Sequence, residues 1–186
     1  MLQLLHAMKL QTNRLRLRPW RDDDLARLFA MNSEPDVNVW LGGPALADRS
    51  TSALKLIQKH FEEHGWGILL VEDLAGRFLG LTGLQPVRSN LSIAPATEIV
   101  WRFRTAAWGN GYASEAATAI LTNSASYGAP EDIVSIVAAE NTRSARTAER
   151  VGFRRAPALD FLHPDLHDDN RLRPHHVFVS PQFEQR

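Results

Sequence analysis

The sequence WGNGYA at positions 108–113 predicts a tight glycine turn that opens a helix. We predict a strand over residues 97–104 before it and a helix over residues 112–127 after it. The first N–H groups of such a helix have no partner within the helix, and the helix dipole favours negative charge beside them. Because Gly109 and Gly111 lack side chains, the backbone can approach a pyrophosphate closely. The turn is therefore a candidate phosphate site, although its spacing alone suits a plain strand-to-helix turn equally well.

Two glycine loops of nucleotide-binding proteins do not match this turn. A P-loop needs Gly-Lys followed by Ser or Thr, and the turn is not followed by that triplet. The dinucleotide fingerprint needs Gly or Ala three residues after its second glycine, where this chain has Ser114. The turn is therefore neither a P-loop nor a dinucleotide-binding loop.

The composition is that of a globular chain without a charge bias. The chain has 186 residues, 44% of them hydrophobic, and its 21 Lys and Arg balance 21 Asp and Glu. This balance gives no electrostatic reason to expect nucleic-acid binding, which depends on neutralising phosphates. Cysteine is absent, which excludes a disulfide framework, a thiolate nucleophile and thiolate metal sites.

Neither a membrane span nor a signal peptide is predicted. No apolar run approaches the roughly 20 residues of a membrane-spanning helix, and residues 1–9 lack the parts of a signal peptide. We expect one domain over residues 10–182, preceded by an N-terminal extension over residues 1–9. We also expect a cytoplasmic monomer or homodimer without membrane or nucleic-acid partners.

Patterns along the rest of the chain predict a mixed α/β (α+β) fold. Leu15 and Leu17 alternate with arginines as in a half-buried strand. Apolar residues at helical spacing follow Asp22–Asp24 and occur again over Asp48–His64, so both stretches are predicted helices. The predicted order is strand, two helices, three strands, helix, strand, helix and two strands. Strands and helices do not alternate strictly, so a simple parallel α/β sheet is not expected.

The segment around the turn resembles the acetyl-CoA-binding motif of the GNAT acetyltransferase superfamily. It is most similar to the branch that includes ribosomal-protein N-terminal acetyltransferases, which reads Trp-Gly-x-Gly-Tyr-Ala-x-Glu-Ala as residues 108–116 do. Asn141 with Ser144, followed by residues 151–153, resembles the next motif of that branch at the expected distance.

The ends of the chain resemble the same family more loosely. The opening residues 12–18 and the closing residues 172–177 both fit, so the resemblance covers about residues 10–180. It implies a GNAT-type fold, in which a central mixed, mostly antiparallel sheet with a splayed strand pair is flanked by helices.

The resemblance implies acetyl-CoA as co-substrate and no metal. The N–H groups of the turn would hold the pyrophosphate, and the preceding strand would offer backbone groups to the pantetheine arm. The wider superfamily often has Arg or Gln at the position of Trp108, so we expect no side-chain cation to help bind the phosphates. The implied cofactor-binding residues are Phe103, Arg104, Trp108, Gly109, Asn110, Gly111, Tyr112, Ala113, Ser114 and Asn141.

The resemblance also implies direct attack of an amine on the thioester in a ternary complex. Glu98 matches an acidic position of this branch and is the candidate base; alternatively it pairs with an arginine or orients the substrate. Ser144 is the candidate proton donor to the departing thiolate, because Ala148 stands where many relatives have a tyrosine acid. Ser144 as a solvent-facing residue and Asn141 as a plain helix cap are the alternatives.

The acceptor is expected to be a primary amine, either a protein N-terminal α-amine or a small-molecule amine. A non-catalytic acyl-CoA-binding or regulatory protein on the same fold is the alternative function. Four histidines and four aspartates over residues 160–176 match no metal motif, and this segment is interpreted as a substrate-side loop.

Overall fold

The computed structural model describes residues 8–41 and 49–183. Its strands are β1 (Leu10–Gln11), β2 (Leu15–Arg18), β3 (Ile68–Asp73), β4 (Phe78–Pro86), β5 (Thr97–Phe103), β6 (Ile133–Ala138), β7 (Arg154–Arg155), β8 (Phe161–Leu162) and β9 (Pro174–Val179). Its α-helices are α1 (Leu25–Ser33), α2 (Pro35–Asn38), α3 (Ser50–His64), α4 (Tyr112–Asn123) and α5 (Thr142–Arg150). Single 3₁₀ turns lie at Asp22–Asp24, Thr105–Ala107, Ser124–Tyr127 and Pro157–Leu159.

The first of two compact units contains the described parts of residues 1–84 and 101–129. Strands β1, β2, β3 and β4 pair in this order, each antiparallel to the next. The alternation of β2 buries Leu15 and Leu17 completely or nearly so, as expected for a strand with one face in the core. Helices α1 and α3 pack on each other and add Leu28, Leu54 and Phe61 to the buried side chains.

A network of four charged side chains joins β2, α1 and β3 in this unit. Arg18 contacts Asp24 at 2.7 Å and Glu72 at 2.9 Å. Arg27 contacts the same two carboxylates at 3.0 and 2.9 Å. The Asp24 side chain is only 2% exposed, so its charge depends on these partners to offset its burial.

Strands β4 and β5 approach each other closely at Gly80. A Cβ atom added there would lie 2.3 Å from the carbonyl oxygen of Arg102 and 2.7 Å from the Cα of Phe103. Both are backbone atoms, which cannot rotate away, so only glycine fits this contact.

The second compact unit contains residues 85–100 and the described part of 130–186. Strand β6 pairs antiparallel with β9, and β9 also pairs with β7 and β8. Helix α5 packs on β6 and β7. One cluster of buried side chains in the core of this unit consists of Val87, Leu91, Val134, Val177 and Val179.

Strands β5 and β6 pair in parallel over a short stretch. Their register joins Thr97 with Ile133 and Glu98 with Val134. Both strands continue beyond this short pairing, β5 to Phe103 and β6 to Ala138. The expected mixed α/β fold, with a mostly antiparallel sheet flanked by helices, is confirmed for the described residues, and the sheet there has nine strands.

The element predictions differ from the structure mainly at their ends. The helix expected over 112–127 is α-helical to Asn123 and continues as a 3₁₀ turn to Tyr127. The start of the helix expected from Asp48 lies outside the described residues, and α3 is described from Ser50. The short strands β1 and β8 and helix α2 were not expected, because two to four residues carry too little periodicity to detect.

The domain prediction of one domain over residues 10–182 stays a prediction, as does the extension over residues 1–9. Within that extension, Met8 is buried and its N–H donates to the carbonyl of Gly65 at 3.0 Å, while residues 1–7 lie outside the described chain. Among the described residues, no helix has the length and apolar character to cross a membrane.

Candidate functional site

The glycine turn in the first unit connects the end of β5 with α4. Gly109 has a φ of 79° and Gly111 a φ of 75°, in the left-handed region that side chains disfavour. A Cβ atom at Gly109 would meet nothing within 4 Å. The backbone conformation, and not a lack of space, therefore requires glycine here.

The N–H groups at the start of α4 are candidate donors to a ligand. The first hydrogen bond into this helix runs from the N–H of Glu115 to the carbonyl of Gly111, at 3.0 Å. The N–H groups of Tyr112, Ala113 and Ser114 precede that bond, so the helix offers them no acceptor. These donors and the positive end of the helix dipole are suited to a phosphate group.

Two carbonyl groups of the turn are held by side chains. Asn110 Nδ2 donates to the carbonyl of Trp108 at 3.1 Å, and Arg14 Nη1 donates to the carbonyl of Asn110 at 3.0 Å. In a trans peptide the carbonyl and the following N–H point in opposite directions. The N–H groups of Gly109 and Gly111 therefore point away from the side chains that hold the turn.

Arg14 reaches the turn from the N-terminal side of β2. Its Nε donates to Glu115 Oε2 at 2.6 Å, and its guanidinium lies 4.7 Å from the centre of the Tyr112 ring. Thr12 Oγ1 donates to the other oxygen of Glu115 at 2.5 Å. Burial opposes the ionisation of Glu115, but these hydrogen bonds hold its pKa below the ordinary value. Arg14 thus places a cation beside the turn, and the expectation that no side-chain cation helps bind the phosphates stays a prediction.

A second carboxylate holds the chain just before the turn. Glu34, between α1 and α2, accepts the N–H of Thr105 at 2.7 Å and its hydroxyl at 2.8 Å. Arg104 Nε donates to the other oxygen of Glu34 at 2.7 Å. Burial by itself would raise the pKa of Glu34, yet these donors lower it. The carboxylate is thus ionised and fixes the path from β5 into the turn.

Several backbone groups expected to contact pantetheine already have partners. The N–H of Arg104 donates to the carbonyl of Leu79 at 2.9 Å, and the carbonyl of Arg104 accepts from Ala107 at 2.9 Å. The carbonyl of Phe103 accepts the indole N–H of Trp108 at 2.8 Å. Because N–H groups alternate along a strand, the N–H of Phe103 points to the edge of β5 opposite β4.

Glu98 in the second unit has an altered acidity. Burial of its carboxyl raises the pKa to about 7. Three groups lower this pKa but do not cancel the effect of burial: a hydrogen bond from Gln85, the charge of Arg88 and the N–H of Ile136. Gln85 Nε2 donates to Glu98 Oε2 at 2.9 Å. A carboxyl group with this pKa can accept and release a proton near neutral pH.

The sheet register places Glu98 on an apolar face. Glu98 pairs with Val134, and Ile136, two residues further along β6, pairs with Val177. Because side chains alternate along strands, these four side chains share one face of the sheet. Val134 and Val177 belong to the core of this unit, and Phe161 packs against it. The apolar neighbours explain why the charged form of Glu98 is disfavoured.

Asn141 and Ser144 lie together at the start of α5. The side-chain oxygen of Asn141 accepts the N–H of Ser144 at 3.1 Å, so Asn141 is the N-cap of this helix. The cap uses the side-chain oxygen, and the amide nitrogen is the part suited to donate to a ligand. Ser144 is half-buried in the first turn of the helix.

Two of the acidic residues before β9 are paired with arginines. Asp165 contacts Arg88 at 3.0 Å, and Asp168 contacts Arg173 at 2.6 Å. Their negative charges are therefore largely compensated within the unit. In the described part of the chain, no group of three or more His, Asp or Glu side chains is arranged to hold a metal ion. The absence of a metal stays a prediction.

Histidines and an aromatic ring form a stack beside Arg88. The rings of Phe161 and His175 are parallel within 8° with their centres 5.4 Å apart, and His163 lies 5.3 Å from His175. Burial, together with the charge of Arg88, lowers the pKa of both histidines. The stack is thus neutral and aromatic near neutral pH.

Sequence reasoning missed the side chains that hold the turn and surround Glu98. Arg14 belongs to the N-terminal motif, but the sequence gave no sign that it meets Glu115, which lies 101 residues away. Gln85 was also not expected beside Glu98, and the alternative that Glu98 pairs with an arginine did not identify Arg88 as the one whose charge acts on it. The signal for Arg14 was its place in a family-like motif, and only the fold shows its partner.

Comparisons with known proteins agree with this arrangement. A family model described as an acetyltransferase (GNAT) domain matches residues 14–154. The protein YkkB of Bacillus subtilis (strain 168) is 32% identical over 149 residues, which make up 77% of this chain and 84% of that protein.

Solved structures give the same result for the fold. A putative GNAT-family acetyltransferase from Bordetella pertussis has a TM-score of 0.75 at 25% identity, covering 93% of this chain and 99% of that one. A spermidine N-acetyltransferase from Vibrio cholerae, in complex with CoA and spermine, has a TM-score of 0.71 at 18% identity, covering 92% of this chain and 99% of that one. At that identity the second likeness shows the fold alone.

The chain belongs to the GNAT acetyltransferase family, whose model matches most of its length. It is an acetyl-CoA-dependent N-acetyltransferase, an enzyme that transfers an acetyl group to an amine.

Proposed function

We propose that this enzyme acetylates a primary amine of low positive charge, a protein N-terminal α-amine or a small monoamine, in the manner of the ribosomal-protein N-terminal acetyltransferase branch. The observation that carries the proposal is Glu98, a carboxyl group with a pKa of about 7 on an apolar face. Such a group is a base matched to an amine that is partly neutral at the working pH.

The donor is held by the glycine turn in this proposal. The N–H groups of Gly109, Gly111 and the first residues of α4 bind the pyrophosphate of acetyl-CoA. The N–H of Phe103 and the side-chain amide of Asn141 contact the pantetheine arm. Arg104 contributes only through the second lone pair of its carbonyl, since its N–H is bound to Leu79.

Direct attack of the amine on the thioester then requires two proton transfers. Glu98 accepts the proton that the amine loses, and Ser144 donates to the departing thiolate of CoA. An α-amine, with a pKa of about 8, is neutral in roughly a tenth of molecules at pH 7, whereas a lysine amine with a pKa near 10.4 is far less available. A base with a pKa of about 7 suits the former.

The charge around the substrate-side segment favours an acceptor with few positive charges. Asp165 and Asp168 are each paired with an arginine, at 3.0 and 2.6 Å. Arg88 is close enough to act on the pKa of Glu98, and its charge repels a polycation. A polyamine therefore finds no unpaired acidic partner at Asp165 or Asp168.

The test is CoA release from acetyl-CoA in the presence of a panel of amines. A thiol-reactive dye reports CoA directly, because the chain contains no cysteine to react with it. The panel contains peptides with free and blocked N-termini, small monoamines and spermidine. We expect turnover of a free α-amine or a monoamine and slow turnover of spermidine. Tight CoA binding without turnover of any amine contradicts the proposal, and a clear preference for spermidine contradicts its acceptor class.

A further inference from the structure

We propose that Arg14 is a positioning residue for the acyl donor, which sets the direction of the pyrophosphate-binding N–H groups and neutralises Glu115. This inference rests on the proposed donor site at the glycine turn. Arg14 enters the site from β2, far away in the chain, and does not need to touch the ligand.

The first effect of Arg14 is geometric. Its Nη1 holds the carbonyl of Asn110 at 3.0 Å. The same planar peptide unit carries the N–H of Gly111, which must then point in the opposite direction. Gly111 is free to rotate because it has no side chain, so the turn needs an external contact to fix its N–H. Arg14 supplies that contact.

The second effect of Arg14 is electrostatic. Glu115 lies in the first turn of α4, where an anionic ligand is expected. An unpaired carboxylate there would repel a pyrophosphate. The guanidinium of Arg14 lies 2.5 Å from Glu115 Oε2, and Thr12 donates to the other oxygen at 2.5 Å. The carboxylate thus holds the arginine in place, and the arginine cancels its charge.

Both effects require the forked shape of arginine. One guanidinium contacts the carboxylate through Nε and Nη2 and the carbonyl of Asn110 through Nη1. A lysine ammonium at the same position would bring the charge without the planar set of donors. Arg14→Lys is therefore expected to bind the donor less well than the wild type and better than Arg14→Gln.

The experiment measures binding and donor preference for Arg14→Gln, Arg14→Lys and the control Arg16→Gln. Arg16 lies in β2, two residues after Arg14, and is exposed, so its substitution makes the same charge change away from the turn. Calorimetric titration with CoA and with 3′-dephospho-CoA gives the Kd values. Turnover of acetyl-CoA is compared with that of S-acetylpantetheine, which lacks the pyrophosphate, and thermal unfolding checks that each variant is folded.

The expected result for Arg14→Gln is a rise in Kd of about tenfold, or roughly 1.4 kcal/mol. The rise should be equal for CoA and 3′-dephospho-CoA, because both retain the pyrophosphate. The KM for acetyl-CoA should rise likewise, while the KM for S-acetylpantetheine and kcat stay near the wild-type values. Arg16→Gln should match the wild type throughout.

Two outcomes overturn the inference. One is an unchanged Kd for CoA in folded Arg14→Gln. The other is an equal loss with S-acetylpantetheine, which would mean that the substitution damages the enzyme generally. A wild-type enzyme that does not bind CoA would instead refute the proposed donor site itself.

A double variant tests the electrostatic effect separately. Arg14→Gln with Glu115→Gln removes the carboxylate that the single variant leaves unpaired. We expect the double variant to bind CoA more tightly than Arg14→Gln alone. Equal or weaker binding would overturn the charge-neutralising role of Arg14.

Discussion

Replacing Glu98 with glutamine tests the altered acidity on which the catalytic proposal depends. Glutamine has nearly the same shape but stays neutral at every pH. The pKa of Glu98 rises from an ordinary 4.5 to about 7, mainly because its carboxyl is buried. At about 1.4 kcal/mol per pKa unit, this difference corresponds to about 3 kcal/mol.

The sign follows from proton binding. Between about pH 4.5 and 7 the folded protein keeps a proton on Glu98 that the unfolded chain releases. The wild type therefore loses stability as the pH rises through this window, and above it the full cost of about 3 kcal/mol is present. Glu98→Gln has no proton to release, so this part of the pH dependence should vanish.

Denaturant unfolding at pH 5 and pH 8.5 measures this effect. The free energy of unfolding should fall between the two pH values by up to about 3 kcal/mol more in the wild type than in Glu98→Gln. Glu62→Gln is the matched control, because Glu62 is exposed on α3. Equal pH dependence in the wild type and Glu98→Gln would refute the raised pKa.

The same variant tests the role of Glu98 as a base. In the wild type, kcat/KM should rise through an apparent pKa of about 7 as Glu98 ionises. In Glu98→Gln this rise of kcat/KM with pH should disappear, and kcat/KM should drop on the order of a hundredfold. A rise of kcat/KM near pH 8, caused by deprotonation of an α-amine acceptor, should remain. A wild-type pH profile in Glu98→Gln would show that Glu98 is not the base.

Substitutions at three further positions test the fold, each by denaturant unfolding. Gly80→Ala places a Cβ 2.3 Å from the carbonyl oxygen of Arg102, so the free energy of unfolding should fall by about 3 kcal/mol. A fall of less than about 1 kcal/mol would show that β4 and β5 are farther apart than this. Asp24→Asn removes one of the two carboxylates that Arg18 and Arg27 share and should cost about 3 kcal/mol at pH 7. Burial by itself would raise the pKa of Asp24, but its hydrogen bonds and the arginine charges lower it. The difference in unfolding free energy between the wild type and Asp24→Asn should therefore shrink as the pH falls through this lowered pKa. A difference that does not change with pH would contradict the pairing. Asn141→Ala should cost about 1 kcal/mol and Asn141→Asp much less, and equal losses would argue against the cap.

Local signals in the sequence were sufficient to predict the elements that carry the proposed donor site. Two glycines with left-handed φ angles and a helix start can be predicted because they depend on a few neighbouring residues. The cap at Asn141 is local in the same way, since its oxygen meets an N–H three residues later. The family resemblance added the expectation of acetyl-CoA, and the family is confirmed.

The properties that make these residues a site were decided by the tertiary structure. Arg14 meets Glu115 across 101 residues, and no local pattern encodes such a pair. The pKa of Glu98 depends on the apolar face formed by β6 and β9. Nothing in the sequence distinguishes its carboxyl group from an ordinary one, yet burial in the fold raises its pKa to about 7. Backbone conformation is a short-range property, whereas burial and charge pairing depend on which distant strands the fold brings together.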